Sequence, residues 1–441
     1  MPYIANTDAD RQEMLRLIGV PALDDLFADI PAEYSPGSFD LPPGLSEFDV
    51  RRRLARLADK NASHLINFIG AGFYDHYIPA AVKAIISRSE FYTSYTPYQP
   101  EAAQGNLQAI FEYQSAICRL TGMEVANASI YDGGTALYEA LMMAVRITGR
   151  RKVIVGTEVS PIYRKMIYCY TSNLNIEFKE MPCRGGSGGE CVENYFDRNT
   201  AAIIIQNPNF FGVVDDYSDL VKAAHHVGAL AVMSVYPISL ALLKTPGEMD
   251  ADIVTGEGQS LGLPLSFGGP YLGFMATKME HVRKMPGRLV GRTQDAQGRT
   301  GFVLTLQTRE QHIRREKATS NIYTNEALCA LAALVYMSLM GKQGLVETAQ
   351  LCLDKAAYAK ERLAAVPGVT VADGPMFNEF VVTLPRDAGD VVGRLIDKNI
   401  AAGFPLGRYY EDMDRSMLVA VTEKRTKEEI GLLAEYLAAE L

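Results

Sequence analysis

Ala251-Asp-Ile-Val-Thr-Gly-Glu-Gly-Gln-Ser-Leu-Gly-Leu-Pro-Leu-Ser-Phe-Gly-Gly269 decides how this chain is read. The opening Ala-Asp-Ile-Val has the apolar density of a buried strand, and the polar, glycine-broken continuation reads as a turn. In an open α/β sheet, a turn at a strand's end is where groups are presented to a ligand. No Lys, Arg or His occurs between Lys244 and Lys278. The turn therefore offers a cradle without an amine nucleophile, with Gln259 and Ser260 at its tip.

Outward from this turn, residues 66–325 alternate short apolar runs with amphipathic stretches. Ala126–Tyr131, Lys152–Val155, Ile176–Phe178, Ala201–Ile205, Ala229–Met233, Ile253–Val254 and Leu272–Met275 read as strands. Helical spacing intervenes, as at Leu107, Ile110, Phe111, Ile117 and Cys118. Strand and helix in alternation predict a large α/β domain with a mostly parallel central sheet covered on both faces. Residues 326–441 read as a small C-terminal α+β domain. It holds a long helix from Glu326 to Met340 leading to a second, strands at Val369–Val371 and Glu379–Thr383, and a last helix from Lys424. Residues 1–65 form a helical N-terminal arm: Met14, Leu15, Ile18 and Val20 make one stripe, and Leu23, Leu26 and Phe27 a second. Ser46 is placed to cap the next helix with Asp49 at its third position, and Leu54 and Leu57 are expected on the buried side. Such an arm is too small for its own core and suits wrapping a neighbour.

Composition narrows the class. At 441 residues the chain is long enough for a large domain with a smaller companion, and 48% hydrophobic with 22% charged residues is ordinary for a globular protein. A net charge of -9 disfavours nucleic acid as a partner. No apolar run in the sequence approaches the ~20 residues that span a bilayer, and the acidic N-terminus is unlike a signal peptide, so a cytoplasmic location is expected and no membrane partner. The six cysteines (Cys118, Cys169, Cys183, Cys191, Cys329, Cys352) have no metal-ligand spacing, and no metal site is expected. Cys183 and Cys191 bracket a glycine-rich loop that could bring them together, although a reducing compartment opposes a disulfide.

Four further features bear on chemistry. In Ile130-Tyr-Asp-Gly-Gly-Thr-Ala-Leu-Tyr-Glu-Ala140 a strand ends and a helix begins, so Asp132, Gly133, Gly134 and Thr135 either cap the helix or offer free N–H groups to a phosphate. Phe91–Gly105 is dense in Tyr, Thr and Gln and held by two prolines. It reads as a packing loop or as a rigid wall presenting Tyr95, Thr96, Tyr98 and Gln99. Between Arg283 and Lys317 the charge reverses sign, with Arg288, Arg292, Arg299, Arg309, Arg314 and Arg315 among the cations, which is either a solvated face or a dock for something acidic. The histidines (His64, His76, His225, His226, His281, His312) have no spacing that singles one out.

Eight motifs in one order carry a resemblance: Met14-Leu-x-x-Ile-Gly-Val20, Phe27-x-Asp-Ile-Pro31, Ile69-Gly-Ala-Gly-x-Tyr-Asp-His-Tyr-Ile-Pro79, Tyr95-Thr-Pro-Tyr-Gln99, Asp132-Gly-Gly-Thr135, Pro208-Asn-Phe-Phe-Gly212, Gly256-Glu-Gly-Gln-Ser-Leu-Gly262 and Lys317-Ala-Thr-Ser-Asn321. Over nearly its whole length the chain resembles the P-protein of the glycine cleavage system, and within it the N-terminal, or alpha, subunit. The resemblance implies an aspartate aminotransferase-like, fold type I architecture, the fold of pyridoxal 5'-phosphate (PLP) dependent transferases. In that fold a lysine in the turn after Ile253–Val254 holds PLP, and an Asp on a neighbouring strand supports its ring nitrogen. Ser260 and Ser234 stand near those two places here.

The resemblance further implies that a beta partner subunit, in an alpha2beta2 assembly, carries the PLP and its lysine. There glycine is decarboxylated and its aminomethyl group passes to the lipoyl arm of the H-protein. This chain, with no catalytic residue and no covalent cofactor of its own, shapes the shared active site. By the same resemblance Tyr95, Thr96, Tyr98, Gln99, Thr319, Ser320 and Asn321 approach the partner's cofactor and glycine. Asp132, Gly133, Gly134, Thr135 and Ser234 are remnants of a cofactor site, and Arg314 and Arg315 meet the acidic H-protein. Ser160-Pro161 departs from the His-Pro of many relatives. Two other readings are a pure scaffold for the partner and a stand-alone PLP enzyme using Lys244.

Overall fold

The computed structural model describes residues 5–34, 37, 40–182, 195–266 and 268–441. Cys183 and Cys191 lie outside the described residues. The chain divides into two compact units, Met1–Ser63 and His64–Leu441.

In the first unit, helix α1 (Asp8–Ile18) starts at a reciprocal cap in which the Thr7 hydroxyl accepts from Asp10 N–H and the Asp10 carboxylate accepts from Thr7 N–H. Helix α2 (Glu47–Ala58) starts as expected at Ser46, whose hydroxyl accepts from Asp49 N–H at 3.2 Å. Burial departs from expectation. Among the described residues of these two helices only Leu15 is buried, and Leu54 and Leu57 are exposed. Helical periodicity identifies an apolar stripe, but what covers the stripe is not local information.

The second unit is built on a seven-stranded sheet. In chain order, β1 (Ile66–Asn67) stands apart, and then come β2 (Val125–Ala126), β3 (Lys152–Gly156), β4 (Glu177–Met181), β5 (Thr200–Asn207), β6 (Leu230–Val235), β7 (Ile253–Glu257) and β8 (Gly273–Thr277). The order across the sheet is β2-β8-β7-β6-β5-β3-β4, parallel except where β8 runs antiparallel to both β7 and β2. Strand residues alternate between two cores. Val153, Val155, Ala202 and Ile204 face one, and Ile154, Ile203 and Ile205 the other. Burial on both faces is why these strands are continuous apolar runs.

Helices follow in chain order: α3 (Ala80–Ile86), α4 (Ser89–Tyr92), α5 (Gln104–Thr121), α6 (Gly133–Thr148), α7 (Pro161–Thr171), α8 (Ser218–His226), α9 (Gln311–Arg314) and α10 (Ala327–Ala364). α6 and α7 cover one face of the sheet through Leu137, Leu141 and Ile167, and α5, α8 and α10 cover the other through Tyr113, Ile117, Leu220 and Tyr336. α10 breaks at Gly341, where φ is +58°, one residue after the expected end at Met340. By length and composition α10 could cross a membrane, yet Cys329, Ala332, Ala333 and Tyr336 are packed into the sheet's core.

A hairpin, β9 (Leu289–Gln294) and β10 (Thr300–Thr305), lies inside the basic stretch and was not anticipated. Its Thr, Arg and Gln residues read as a charge run, and the turn is held by Asp295, whose carboxylate accepts from Gln297 and Arg299 N–H. The C-terminal strands β11 (Thr370–Val371), β12 (Glu379–Thr383), β13 (Ile400–Ala401), β14 (Phe404–Pro405) and β15 (Ser416–Ala420) pack with α11 (Ala388–Ile396) and α12 (Lys427–Glu440). β11, β12, β15 and β14 make an antiparallel sheet over its own apolar core, and β13 pairs with β1. Of these, β13 to β15 and α11 were not anticipated.

Glu379, at the start of β12, joins this C-terminal sheet to the segment before α3. Its side chain is buried and accepts from Ala71 N–H at 2.6 Å and from the Tyr74 hydroxyl at 2.9 Å. Burial pushes its carboxyl from 4.5 up to about 7. The folded state thus holds a proton that the unfolded chain releases, so stability falls as pH rises from 4.5 through about 7. Glutamine can keep both contacts, accepting from Ala71 and donating to Tyr74. Glu379→Gln is expected to flatten that pH dependence and to be more stable than wild type above pH 7, by about 3 kcal/mol at most. Urea-unfolding midpoints of the two proteins between pH 5 and 8 check this, and parallel curves would contradict it.

Candidate functional site

The turn after β7 and the start of α6 meet as the α/β topology requires, and the cradle they form is already filled. Glu257, the last residue of β7, sends its carboxylate into the N-terminus of α6, where it accepts from Gly133 N–H at 2.9 Å. The same carboxylate accepts from Gln259 N–H at 3.0 Å and Leu272 N–H at 3.1 Å. Burial pushes Glu257 up to about 7 against the pull of these three donors. Asp132 takes the next position. It accepts from Thr135 N–H and from the Thr135 hydroxyl, both at 2.8 Å, so the capping alternative for this motif is the one realised.

Side chains close the remaining space. A Cβ at Gly133 would lie 2.5 Å from the Tyr163 hydroxyl, and one at Gly134 2.5 Å from Met166 Sδ. The cavity beside them, lined by Ser160, Tyr163, Ser234, Tyr236, Glu257 and Glu379 among others, has a volume of about 40 Å³. Ser160, at the departure from His-Pro, is buried, and its N–H donates to the Gln206 side-chain oxygen at 2.8 Å.

The Ile69–Pro79 motif plugs this cavity from the other side. Tyr74 lies against Tyr236 with ring centroids 4.5 Å apart. His76 reaches the Tyr236 hydroxyl with one ring nitrogen and Glu423 at 2.7 Å with the other. Gln259 clamps the plug. Its side chain accepts from Tyr74 N–H at 3.0 Å and donates to Tyr74 C=O at 3.1 Å. Ser260, where a Schiff-base lysine is absent, is buried with no partner for its hydroxyl. Lys244 does not line the cavity. Its ammonium pairs with Asp216 at 2.9 Å and Ser218 at 2.8 Å.

PLP does not fit this place. No amine lines the cavity, no cation balances a phosphate, the N–H groups that would receive one hold carboxylates, and about 40 Å³ is far below the volume of a small-molecule site. Metal chemistry gains no support either. His76, Cys352 and Glu423 come within 4.8 Å of one another, but the His76 and Glu423 groups are engaged with each other and with neighbouring donors.

The tyrosine-rich loop lies on the surface. Gln104 fixes its end, donating to Phe302 C=O and accepting from Phe302 N–H, both at 2.9 Å. Pro97 is buried, whereas Tyr95 is 76% and Tyr98 43% exposed; Gln99 is exposed and Thr96 half-buried. Tyr98 rests on the buried Arg288 guanidinium, 5.7 Å from the ring centroid, and meets His312 edge-on at 5.7 Å. His312 in turn lies 6.2 Å from the Tyr323 ring. Arg288 is held by Tyr323 C=O at 2.6 Å and Asn325 at 3.1 Å. Arg288, His312 and Tyr323 were not singled out from sequence, because no spacing links them to residues 95–99.

The other expected residues separate. Ser320 turns inward and donates to Glu139 at 2.7 Å. Thr319 is half-buried and Asn321 exposed. Arg314 and Arg315 are both exposed, Arg314 donating through Nε to Thr308 C=O at 2.9 Å. The basic stretch is not one surface. Arg299 pairs with Asp295 at 2.7 Å, and Arg309 is tied to the carbonyls of Leu306, Met285 and Gly287.

Comparison with known proteins agrees with this geometry. Residues 1–437 match the family model described as the glycine cleavage system P-protein. The chain is 57% identical over 439 residues to a probable glycine dehydrogenase (decarboxylating) subunit 1 of Nitratidesulfovibrio vulgaris, covering 99% of each, and 54% identical to the protein of that name from Geotalea daltonii, covering 100% of each. Its structure superposes on a glycine decarboxylase (P-protein) in inhibitor-bound form with a TM-score of 0.94, 43% identity and full coverage of both chains. A glutamate decarboxylase of Lactobacillus brevis, at 14% identity and a TM-score of 0.66 over 92% of this chain and 96% of that one, shares the fold alone, that of the fold type I PLP-dependent enzymes. The chain belongs to the P-protein family of the glycine cleavage system, as one subunit of its decarboxylating glycine dehydrogenase.

Proposed function

We propose that this subunit completes an active site whose PLP is carried by the partner subunit, and that it holds none itself. The observation that carries the reading is Glu257 in the N-terminus of α6, since an anionic cofactor there would face a carboxylate already seated on the same N–H group. What the chain offers outward is the Tyr95, Thr96, Tyr98 and Gln99 wall, stiffened by Arg288, His312 and Tyr323, with Thr319 and Asn321 on the same segment as His312. Phenol and amide groups on such a wall can orient a small zwitterion and exclude water from it. In this reading the complex, an alpha2beta2 assembly in the cytoplasm, decarboxylates glycine and passes the aminomethyl group to the lipoyl arm of the H-protein. Arg314 and Arg315 meet the H-protein, and the exposed apolar residues of the arm, such as Leu17, Phe27 and Leu54, cover the partner subunit.

Borohydride reduction of the assembled complex is expected to fix PLP on the partner alone. Label on this chain, including on Lys244, would end the reading. Tyr98→Phe keeps the ring on Arg288 and removes one hydroxyl. It is expected to lower glycine-dependent carbon dioxide exchange about tenfold while the complex stays assembled. Unchanged exchange in Tyr98→Phe and Tyr95→Phe would favour a pure scaffold. Arg315→Glu is expected to raise the KM for H-protein several-fold at low salt, with the effect shrinking as salt is added.

A further inference from the structure

One cavity on this chain is built almost wholly from cations. It has a volume of about 360 Å³ and is lined by Arg146 from the last turn of α6, Arg283 and Lys284, and Arg314, Lys317 and Thr319 from the segment before α10. The frame is rigid. Arg309, also on its wall, directs Nε, Nη1 and Nη2 to the carbonyls of Leu306, Met285 and Gly287, which fixes the loop. Thr319 N–H donates back to Arg309 C=O at 3.3 Å.

Arg146 is the unusual member. It sits half-buried, and its Nε and Nη2 are shut off from solvent with no hydrogen-bond partner among the described residues. The one carboxylate acting on it is Glu139, whose Oε1 is engaged by the Ser320 hydroxyl at 2.7 Å. Burial holds the Arg146 guanidinium below its usual range. Among the described residues, the ion pairs of this region are His281 with Glu280, His312 with Glu310 and Arg299 with Asp295, and none involves the five cations Arg146, Arg283, Lys284, Arg314 and Lys317. Glu316 is nearby in sequence but exposed and outside the wall. Like charges gathered without counter-charge repel one another, and an oxyanion entering the cavity relieves that repulsion.

We infer that this cavity is a binding site for a phosphate group, either free phosphate or the phosphate of a small ester. One carboxylate could not balance five cations, whereas a phosphate dianion presents several acceptor oxygens to forked guanidinium donors. The volume lies at the small-molecule end of binding sites, about 300–1,000 Å³, which leaves room for an organic body beyond the phosphate. Arg314 is shared between this cavity and the proposed face for the H-protein, so binding is measured without H-protein, whereas Arg146, Arg283, Lys284 and Lys317 belong to the cavity alone.

The test is calorimetric titration of the full chain, assembled with its partner subunit and without H-protein, using inorganic phosphate, ribose 5-phosphate and ribose at constant ionic strength. Saturable binding of phosphate is expected, with ribose 5-phosphate at least as tight if an ester is the occupant and weaker if free phosphate is, and no binding of ribose. The Arg314→Gln/Lys317→Gln double variant, which alters only exposed side chains, is expected to weaken phosphate about tenfold or more, and Arg146→Gln at least as much. Arg292→Gln, an exposed cation of the hairpin outside the cavity, should bind like wild type. Absence of saturable phosphate binding in the complex, equal heats from chloride, or an unchanged dissociation constant in the double variant would each overturn the inference.

Discussion

A carboxylate seated on the N-terminus of a helix is the interaction on which the interior of this subunit depends. The first N–H groups of α6 have no partner within the helix, and in an α/β sheet they point to the place where a phosphate can be bound. Here Glu257 and Asp132 supply the acceptors from within the chain. Glu257 also receives the N–H groups of Gln259 and Leu272, so one side chain ties β7, the turn after it, the approach to β8 and the start of α6 together. The carboxylate acts here as a structural joint. Tyr74 and Glu379, on the wall of the cavity beside it, are bonded to each other in the same manner.

Joints of the same kind run along the plug. Gln259 occupies the turn where an amine would serve a Schiff base and instead brackets the backbone of Tyr74 with an acceptor and a donor. Glu379 takes Ala71 and Tyr74 from the C-terminal sheet, and Glu423 takes His76 and Tyr77 N–H. Each is a buried polar group with its partners supplied, the condition under which such groups hold a fold in one arrangement.

What could be read from sequence follows from where information is local. Strands β3, β5, β6, β7 and β12 were legible because both faces or one whole face are apolar. The cap at Ser46 was legible because capping acts over three residues, whereas Asp132 stood open between capping and phosphate binding until the structure placed its carboxylate on Thr135. The absence of a lysine after β7 was legible as a plain fact of composition. The occupant of the cradle was not: Gly-Glu-Gly in a turn does not tell that Glu257 bends back to Gly133, a pair 124 residues apart. Likewise Arg288 under Tyr98 and His312 beside it are joined only by tertiary structure, and the hairpin β9–β10 hid within a charge run because its outer face is polar. Ser320 was placed toward a partner by its neighbours in the motif, yet its hydroxyl is drawn inward by Glu139.

The basic segment shows how unlike roles hide under one composition. Arg309 is a structural brace, all of its directions ending on backbone carbonyls, and Arg288 is a platform beneath an aromatic ring. Arg299 merely closes a hairpin turn with Asp295. Among the described residues Lys317 and the half-buried Arg146 have no such employment, and Arg314 has one bond to the Thr308 carbonyl, although the chain carries a net charge of -9 and could have supplied carboxylates. The carboxylate joints at Glu257 and Glu379 have their partners within the chain, whereas Arg146 has two enclosed guanidinium nitrogens without a partner among the described residues. The asymmetry is physical: a group whose partner is built in stabilises the subunit at all times, and a group whose partner must arrive does so only when the anion is present.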